Sequence, residues 1–276
     1  MRNDFVLVKL LVLLLVLTLS GCGGGSNTYW PVAATPPATP PPATPNPEFT
    51  ADANTIILWH FDESSGTTAA DSSTGGSYPA TLQSSLGTPV PPVFASSGHS
   101  GFNNCLVLDG SKQQYASHAP PAGPWITGFS DQITIEFWCK FSSVSAPSIL
   151  LCDNDVYYQI YLNTNRTLEI ELGDGSNWQM DMLSNAQLST DAWHYIAFTY
   201  DKNSNVAILY IDGAPDNTQH PTAPCNIFGA TGSRGVYVGS FPFGSGNFFT
   251  GSLDEIRFSN CVRTASAIQT YYNNAK

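Results

Sequence analysis

The apolar positions of this chain fall into three textures. From Leu10 to Leu19 nearly every residue is apolar, between about Pro31 and Pro47 proline recurs, and from Phe49 onward short apolar runs alternate with polar residues. In the third texture the period is two. Ile133, Ile135, Phe137 and Cys139 share one face of ITIEFWCKF, against Thr134, Glu136, Trp138 and Lys140. Similar runs recur at Thr55–Phe61, Cys105–Gly110, Gln114–His118, Ser148–Asp153, Tyr157–Asn163 and Thr167–Leu172, and continue at Trp178–Leu183, His194–Asp201, Val206–Asp212, Val236–Phe241 and Ser252–Asn260. Gly, Asn, Asp and Ser separate them, the punctuation of antiparallel strands joined by tight turns. No strand–helix–strand rhythm and no glycine-rich phosphate loop is present. Only RTASAIQTYYNNA, 263–275, has a helical pattern, enough for one or two turns. The pattern predicts an all-β domain over 49–276, built as an antiparallel β-sandwich whose sheets stack about 10 Å apart.

The first texture is too short to be a fold element or a spanning helix, which needs about 20 apolar residues. Arg2 and Lys9 around the run, and its place at the start, predict a secretory signal over 1–21. Leu19-Ser20-Gly21-Cys22 resembles the lipobox of bacterial lipoproteins. The resemblance implies that Cys22 is lipidated and becomes the mature N-terminus; ordinary cleavage nearby, leaving Cys22 a plain thiol, is the alternative. Acyl chains would anchor the chain, since each buried methylene contributes about 0.8 kcal/mol. The expected location is therefore outside the cytoplasm, lipid-anchored to the bacterial cell envelope with the membrane as partner. Gly23 after the cysteine points, by the rule of that family, to the outer membrane or cell surface. Residues 22–48, with PVAATPPATPPPATPNP, are too proline-rich to pack a core and read as an extended linker.

Charge narrows the partners. The formal net charge is −11 and no basic stripe occurs, which excludes nucleic acid as an expected partner. Cysteine usage follows from export, where disulfides persist. Beyond Cys22 there are Cys105, Cys139, Cys152, Cys225 and Cys261, with no C-x-x-C pair to suggest zinc or thioredoxin chemistry. Cys139 and Cys152 lie near the facing ends of a predicted hairpin and are the first-choice disulfide.

Four segments carry a further resemblance. WHYIAFTYD (193–201) followed by LYIDG (209–213) resembles the central hairpin of laminin-G-like, concanavalin A-like jelly rolls. LWHFDESSGTTAADSSTGG (58–76) resembles the first strand and following loop of that family, ITIEFWCKF (133–141) its T-[IL]-E-x-W-[VI]-K strand, and FTGSLDEIRFSNCVRT (249–264) its closing strand. Cys105 departs from the pattern, standing where an apolar residue would open the L-x-L-D-G strand. The resemblance implies a concanavalin A-like jelly roll over nearly the whole of 49–276, with first and last strands side by side.

The same fold hosts glucanases, whose E-[ILV]-D-x-x-E strand sets two carboxylates for retaining hydrolysis, about 5–5.5 Å apart. Here Glu169 and Glu171 share a face, but no Asp lies between them and Asp174 falls in a glycine turn. They read as a solvated strand face, and the expectation is a chain that is not an enzyme. Sugar recognition instead needs aromatic faces beside carboxylates or amides. Tyr157, Tyr158, Tyr161 and Trp178 lie on adjacent predicted strands near Asp153, Asn154, Asp155 and Asn177, and FPFGSGNFF (241–249) is a second aromatic loop. Tyr158, Trp178 and Asp155 are the preferred ligand contacts; filling the core is their other reading.

Related jelly rolls often hold one calcium ion, so the resemblance also implies a metal site: Asp71 and Asp254, with Asp62, and backbone carbonyls near Gly75. The equal alternative is that Asp71 forms an Asx turn and Asp254 accepts from loop amides. The expected function is thus a non-catalytic cell-envelope lipoprotein that binds a carbohydrate or protein ligand through its jelly roll. A structural or adhesive envelope component without a small-molecule site is the alternative, and a glycoside hydrolase a further one.

Overall fold

A computed structural model of the chain describes residues 48–99, 101–119, 126–129, 131–153, 156–225 and 235–276. The signal, Cys22 and the proline-rich linker lie outside the described residues, as does Asp155. Among the described residues no helix is long and apolar enough to cross a membrane.

The strands in chain order begin with β1 (Thr55–Trp59), β2 (Thr68–Ala69), β3 (Ala80–Ser84), β4 (Val93–Ser96), β5 (Asn104–Leu108) and β6 (Gln114–His118). They continue with β7 (Gln132–Lys140), β8 (Ser148–Asp153), β9 (Tyr158–Leu162), β10 (Leu168–Gly173) and β11 (Trp178–Leu183). The last are β12 (His194–Asp201), β13 (Val206–Ile211), β14 (Ala214–Gln219), β15 (Val236–Val238) and β16 (Gly251–Ser259), before one helix, α1 (Ala265–Ala275).

Two antiparallel sheets result. One runs β14-β13-β12-β7-β16-β5-β4, with β1 also paired to β16; the other runs β11-β10-β9-β8-β15-β6-β3-β2. First and last strands are indeed neighbours: Leu58 pairs with Arg257 and Trp59 with Ile256. The expected alternation holds in β7, where Ile133, Ile135, Phe137 and Cys139 enter the core between the sheets. From the second sheet, Tyr158, Ile160, Leu162, Leu168 and Ile170 meet them. The hairpin β12–β13 forms in register, Thr199 against Ile208. Its far end is fixed by Asp212, at φ 51°, whose carboxylate accepts from Tyr195 N at 3.0 Å and lies 2.9 Å from His194 Nδ1. The Trp193 indole N–H reaches the Ser97 carbonyl at 3.1 Å, as its position at a strand entrance suggests.

The other face of β7 is buried too. Trp138, with Tyr195, Ala197 and Tyr210 of neighbouring strands, packs beneath Phe49, Phe102 and the helix residues Ile268 and Ala275. The helix is longer than the one or two turns read from the sequence, because burial of this face holds it. Its N-cap is Thr264, whose hydroxyl accepts from Ala267 N at 3.2 Å. The middle of this sheet is therefore covered on both faces, and among the described residues no helix lies against the outward face of the second sheet.

The disulfide expectation is overturned. Cys105, Cys139, Cys152, Cys225 and Cys261 are all free thiols. The β7–β8 connection is a crossing between sheets, not a hairpin: β7 pairs with β12 and β16, β8 with β9 and β15. Cys139 thus sits in the central core, and Cys152 on the outward side of the other sheet. Cys105, the departure from the family pattern, is fully buried and acts as the apolar residue expected there. Burial raises its thiol to about 12, which leaves it unreactive.

Candidate functional site

Period-two alternation decides which side chains of the second sheet face outward. Tyr158, Ile160 and Leu162 of β9 point inward, so Gln159 and Tyr161 point out. On β10 the outward pair is Glu169 and Glu171; on β11 it is Asp181 and Leu183, Leu183 half exposed. Register sets Glu169 between Tyr161 and Leu183, and Glu171 between Gln159 and Asp181. The Tyr161 hydroxyl donates to Gln159 Oε1, and its ring meets Phe241 edge to face, centroids 5.9 Å apart. Asn163 Nδ2 donates to Glu169 Oε2 at 2.7 Å. Burial, then the charges of Glu169 and Asp181, raises the pKa of Glu171 above its ordinary value. Behind this strip the face is closed: Tyr115, Tyr237, Ile149 and Cys152 form a buried cluster under Phe241 and Phe248.

The preferred aromatic residue from the sequence is on the wrong side. Tyr158 is fully buried in the core, its ring 5.9 Å from that of Phe258, and is not available to a ligand. Its parity with Ile160 and Leu162 is the signal that could have ruled it out in favour of Tyr161. Trp178 is exposed, but at the rim, where a register shift between Leu172 and Gly173 breaks the ladder. Asp181 and Gln159 were not singled out by the sequence, since each looks like an ordinary polar position on an alternating strand.

The expected calcium ligands are divided. Asp71 organises its own loop: Oδ1 accepts from Leu58 N at 3.0 Å and Ser73 N at 2.9 Å, and Oδ2 from Ser73 Oγ at 2.9 Å and Tyr78 N at 3.0 Å. That is the Asx-turn role, and a carboxylate so saturated does not fit a metal shell. Asp254 is different. A register shift in β16 after Asp254, with Glu255 at φ 50°, buries both neighbours. Asp254 Oδ1 accepts from Glu255 N at 2.9 Å, and its buried Oδ2 has no partner. Burial, then the charges of Glu255, Asp62 and Glu48, pushes its pKa up to about 10. Asp62 itself accepts from Asn104 N at 3.0 Å and Asn103 Nδ2 at 3.1 Å. An orphaned carboxylate oxygen among further carboxylates is the donor chemistry a hard cation takes. Among the described residues no three His, Cys, Asp or Glu side chains already converge on a metal position, so main-chain carbonyls or water would complete the shell.

One element of this corner escaped the sequence altogether. Glu255 is a double acceptor: His60 Nδ1 lies 2.5 Å from Oε1, and Phe49 N donates to Oε2. Burial disfavours the charged imidazole, but the Glu255 contact outweighs it and raises the His60 pKa. The pair ties the start of the domain to its last strand.

A family model described as the concanavalin A-like lectin/glucanases superfamily matches residues 109–269. The chain belongs to this superfamily. Solved structures agree on the fold of the superfamily at low identity. Domain 4 of AbnA, a GH43 extracellular arabinanase from Geobacillus stearothermophilus, in complex with arabinotriose, is 19% identical with a TM-score of 0.60, over 81% of this chain and 98% of that one. The binding domain of Paraclostridial Mosquitocidal Protein 1 is 16% identical with a TM-score of 0.60, and the botulinum neurotoxin type G receptor-binding domain 13% with 0.56. In both, 80% of this chain is covered but only 52% and 51% of the toxin domains, so the chain spans about half their length. No curated protein matches the chain. The superfamily holds both hydrolases and binding domains, and these neighbours are carbohydrate- or protein-binding domains.

Proposed function

We propose that this chain is an exported lipoprotein, anchored through Cys22 to the cell envelope, whose jelly roll binds a glycan without chemistry of its own. The observation that carries this reading is the outward strip of β9–β11. There the half-buried ring of Tyr161, walled by Phe241, stands beside the Gln159 amide and the Glu169 and Glu171 carboxylates. A sugar ring needs that combination: an aromatic surface for its C–H face and planar polar groups for its hydroxyls. On the opposite side of the sandwich α1 and Phe49 cover part of the sheet. A calcium ion held by Asp254 and Asp62, beside Glu48, would supply structural cross-linking between the first and last strands, distant from this strip.

Hydrolysis is a second reading with one observation in favour: Glu171 and Asp181 are directly opposed across β10 and β11, and Glu171 has a raised pKa. The face is open to water, and the E-[ILV]-D-x-x-E strand is missing. A glycan array separates the readings. The full chain is expected to give a restricted set of signals that Tyr161→Ala reduces at least about tenfold, whereas Tyr158→Ala destabilises the core. Release of reducing sugar from the bound glycan would establish hydrolysis instead, and silence across the array would leave a structural envelope role.

A further inference from the structure

A cavity of about 570 Å³ lies between α1 and the chain at Phe49, and no residue of the β9–β11 strip lines it. Its volume falls among those of small-molecule sites, roughly 300–1,000 Å³. The segment from Glu48 to Thr50 borders it, with Arg257 and Arg263. From the helix come Ser266, Thr270 and Asn274. These three are four residues apart, so they share one helix face, each about 6 Å along the axis from the next.

The lining is rich in donors. Arg257 is only 6% exposed, and its Nε and Nη2 are both spent on Glu136. Its Nη1, which carries two more N–H bonds, donates to no group among the described residues, and the cavity is the space this arginine borders. The helix begins at the same place. Thr264 caps Ala267 N, while the N–H groups of Ala265 and Ser266 meet no acceptor among the described residues. A helix start carries about half a positive charge, and its open amides take oxyanions. The side-chain charges nearby cancel, Arg257 against Glu136 and Arg263 against Asp52. What remains in excess is the set of donors and the helix end. Glu48 is the one carboxylate in the lining, and Asn103 Nδ2 already donates to it at 3.0 Å.

The buried arginine nitrogen and the open helix start call for an oxyanion, which charge-assisted N–H bonds hold more strongly than neutral ones. A bare oxyanion would leave most of the cavity empty. The rest of the helix face carries two hydroxyls and an amide, Ser266, Thr270 and Asn274, whose side chains bond to nothing else among the described residues. Such groups pair with the hydroxyls of a ligand. We infer that this cavity binds an oxyanion carried on a small hydroxylated body, a sugar acid or a sugar phosphate. Arg257 Nη1 and the first turn of α1 take the oxyanion, and Ser266, Thr270 and Asn274 take the hydroxyls.

Calorimetry on the full chain tests this with four probes: glucuronate, glucose 6-phosphate, glucose and inorganic phosphate. At least one of the two anionic sugars is expected to bind with a Kd of about 1 mM or lower, and at least about tenfold more tightly than glucose or inorganic phosphate. The tighter of the two tells carboxylate from phosphate. Replacing Arg257 would disturb the fold, so Ser266→Asp is the better probe. A carboxylate in the first turn favours the helix and repels an anion from the cavity. It should weaken the anionic sugar about tenfold or more while leaving the melting temperature unchanged or higher. Tyr161→Ala should bind that sugar as the parent does, which separates this cavity from the strip on β9–β11. Glucose bound as tightly as the anionic sugars removes the oxyanion, and inorganic phosphate bound as tightly removes the hydroxylated body. Undiminished binding by Ser266→Asp, or loss of binding in Tyr161→Ala, places the ligand elsewhere. Any of these, or no binding of the four, overturns the inference and leaves the glycan array to decide the strip.

Discussion

Replacing Arg257 by methionine is expected to cost about 3–5 kcal/mol, the loss typical when one partner of a buried ion pair is removed. Arg257 and Glu136 lie on adjacent strands, and Glu136 is fully buried. Arg257 Nε and Nη2 approach Glu136 Oε2 at 2.8 and 2.7 Å, Arg263 Nε lies 3.2 Å from the same oxygen, and the Tyr195 hydroxyl donates to Oε1. The guanidinium also carries the Phe49 ring at 3.7 Å, and Phe49 stacks on Tyr271 of the helix at 4.0 Å. Methionine keeps much of the packing volume but leaves the carboxylate one cation short in a dry place. Urea unfolding should show a lower midpoint at unchanged slope, and the melting temperature should fall by roughly 10 °C for a domain of this size. Adding Glu136→Leu should restore much of the loss, because the stranded charge goes with it. A loss below about 1 kcal/mol for Arg257→Met would mean that Arg263 alone neutralises Glu136.

This cluster marks the limit of what alternation can tell. The sequence sets Glu136 on the face opposite Ile135 and Phe137, with Trp138, and does not say what that face meets. Both faces of β7 are buried, since α1 and the segment at Phe49 cover the second one, and a period-two pattern cannot report a cover supplied from elsewhere in the chain. The sandwich, the β12–β13 hairpin and the β1–β16 pairing were legible because each rests on local periodicity or on the four family-like segments. The Cys139–Cys152 pairing failed because a short connection between two strands looks alike whether it turns back or crosses to the other sheet. Tyr158 was misjudged where the information was present, in the inward parity it shares with Ile160. The orphaned oxygen of Asp254 and the His60–Glu255 contact were illegible, because a register shift at one position sends two consecutive acids into the interior.

The titration of that corner should dominate the pH dependence of stability. Asp254 keeps its proton in the folded chain up to about pH 10, while in the unfolded chain it loses it near 3.8. A group whose folded pKa is raised in this way binds more protons folded than unfolded, so stability falls as pH rises across that window, by up to about 1.4 kcal/mol per unit. Glu255 is also raised and adds in the same direction. His60, a base with a raised pKa, contributes stability below its unfolded value that disappears as pH climbs through its folded one, again the same sign. Chelator-treated protein should therefore melt progressively lower from pH 5 to pH 9, by roughly 3–5 °C per unit where the slope is steepest. Asp254→Asn removes the largest of these protons and should give a much flatter profile, more stable than the parent at the alkaline end. Calcium distinguishes the proton from an ion. If Asp254 and Asp62 hold the metal, millimolar calcium replaces the proton and lifts the parent curve most at high pH, where the carboxylate is easiest to ionise, and leaves Asp254→Asn unmoved. An unchanged parent curve with calcium and with chelator would remove the ion while leaving the proton account intact. A flat chelator-treated profile would remove the proton account as well, since a carboxylate that titrates normally in this position cannot be the buried, unpartnered one described.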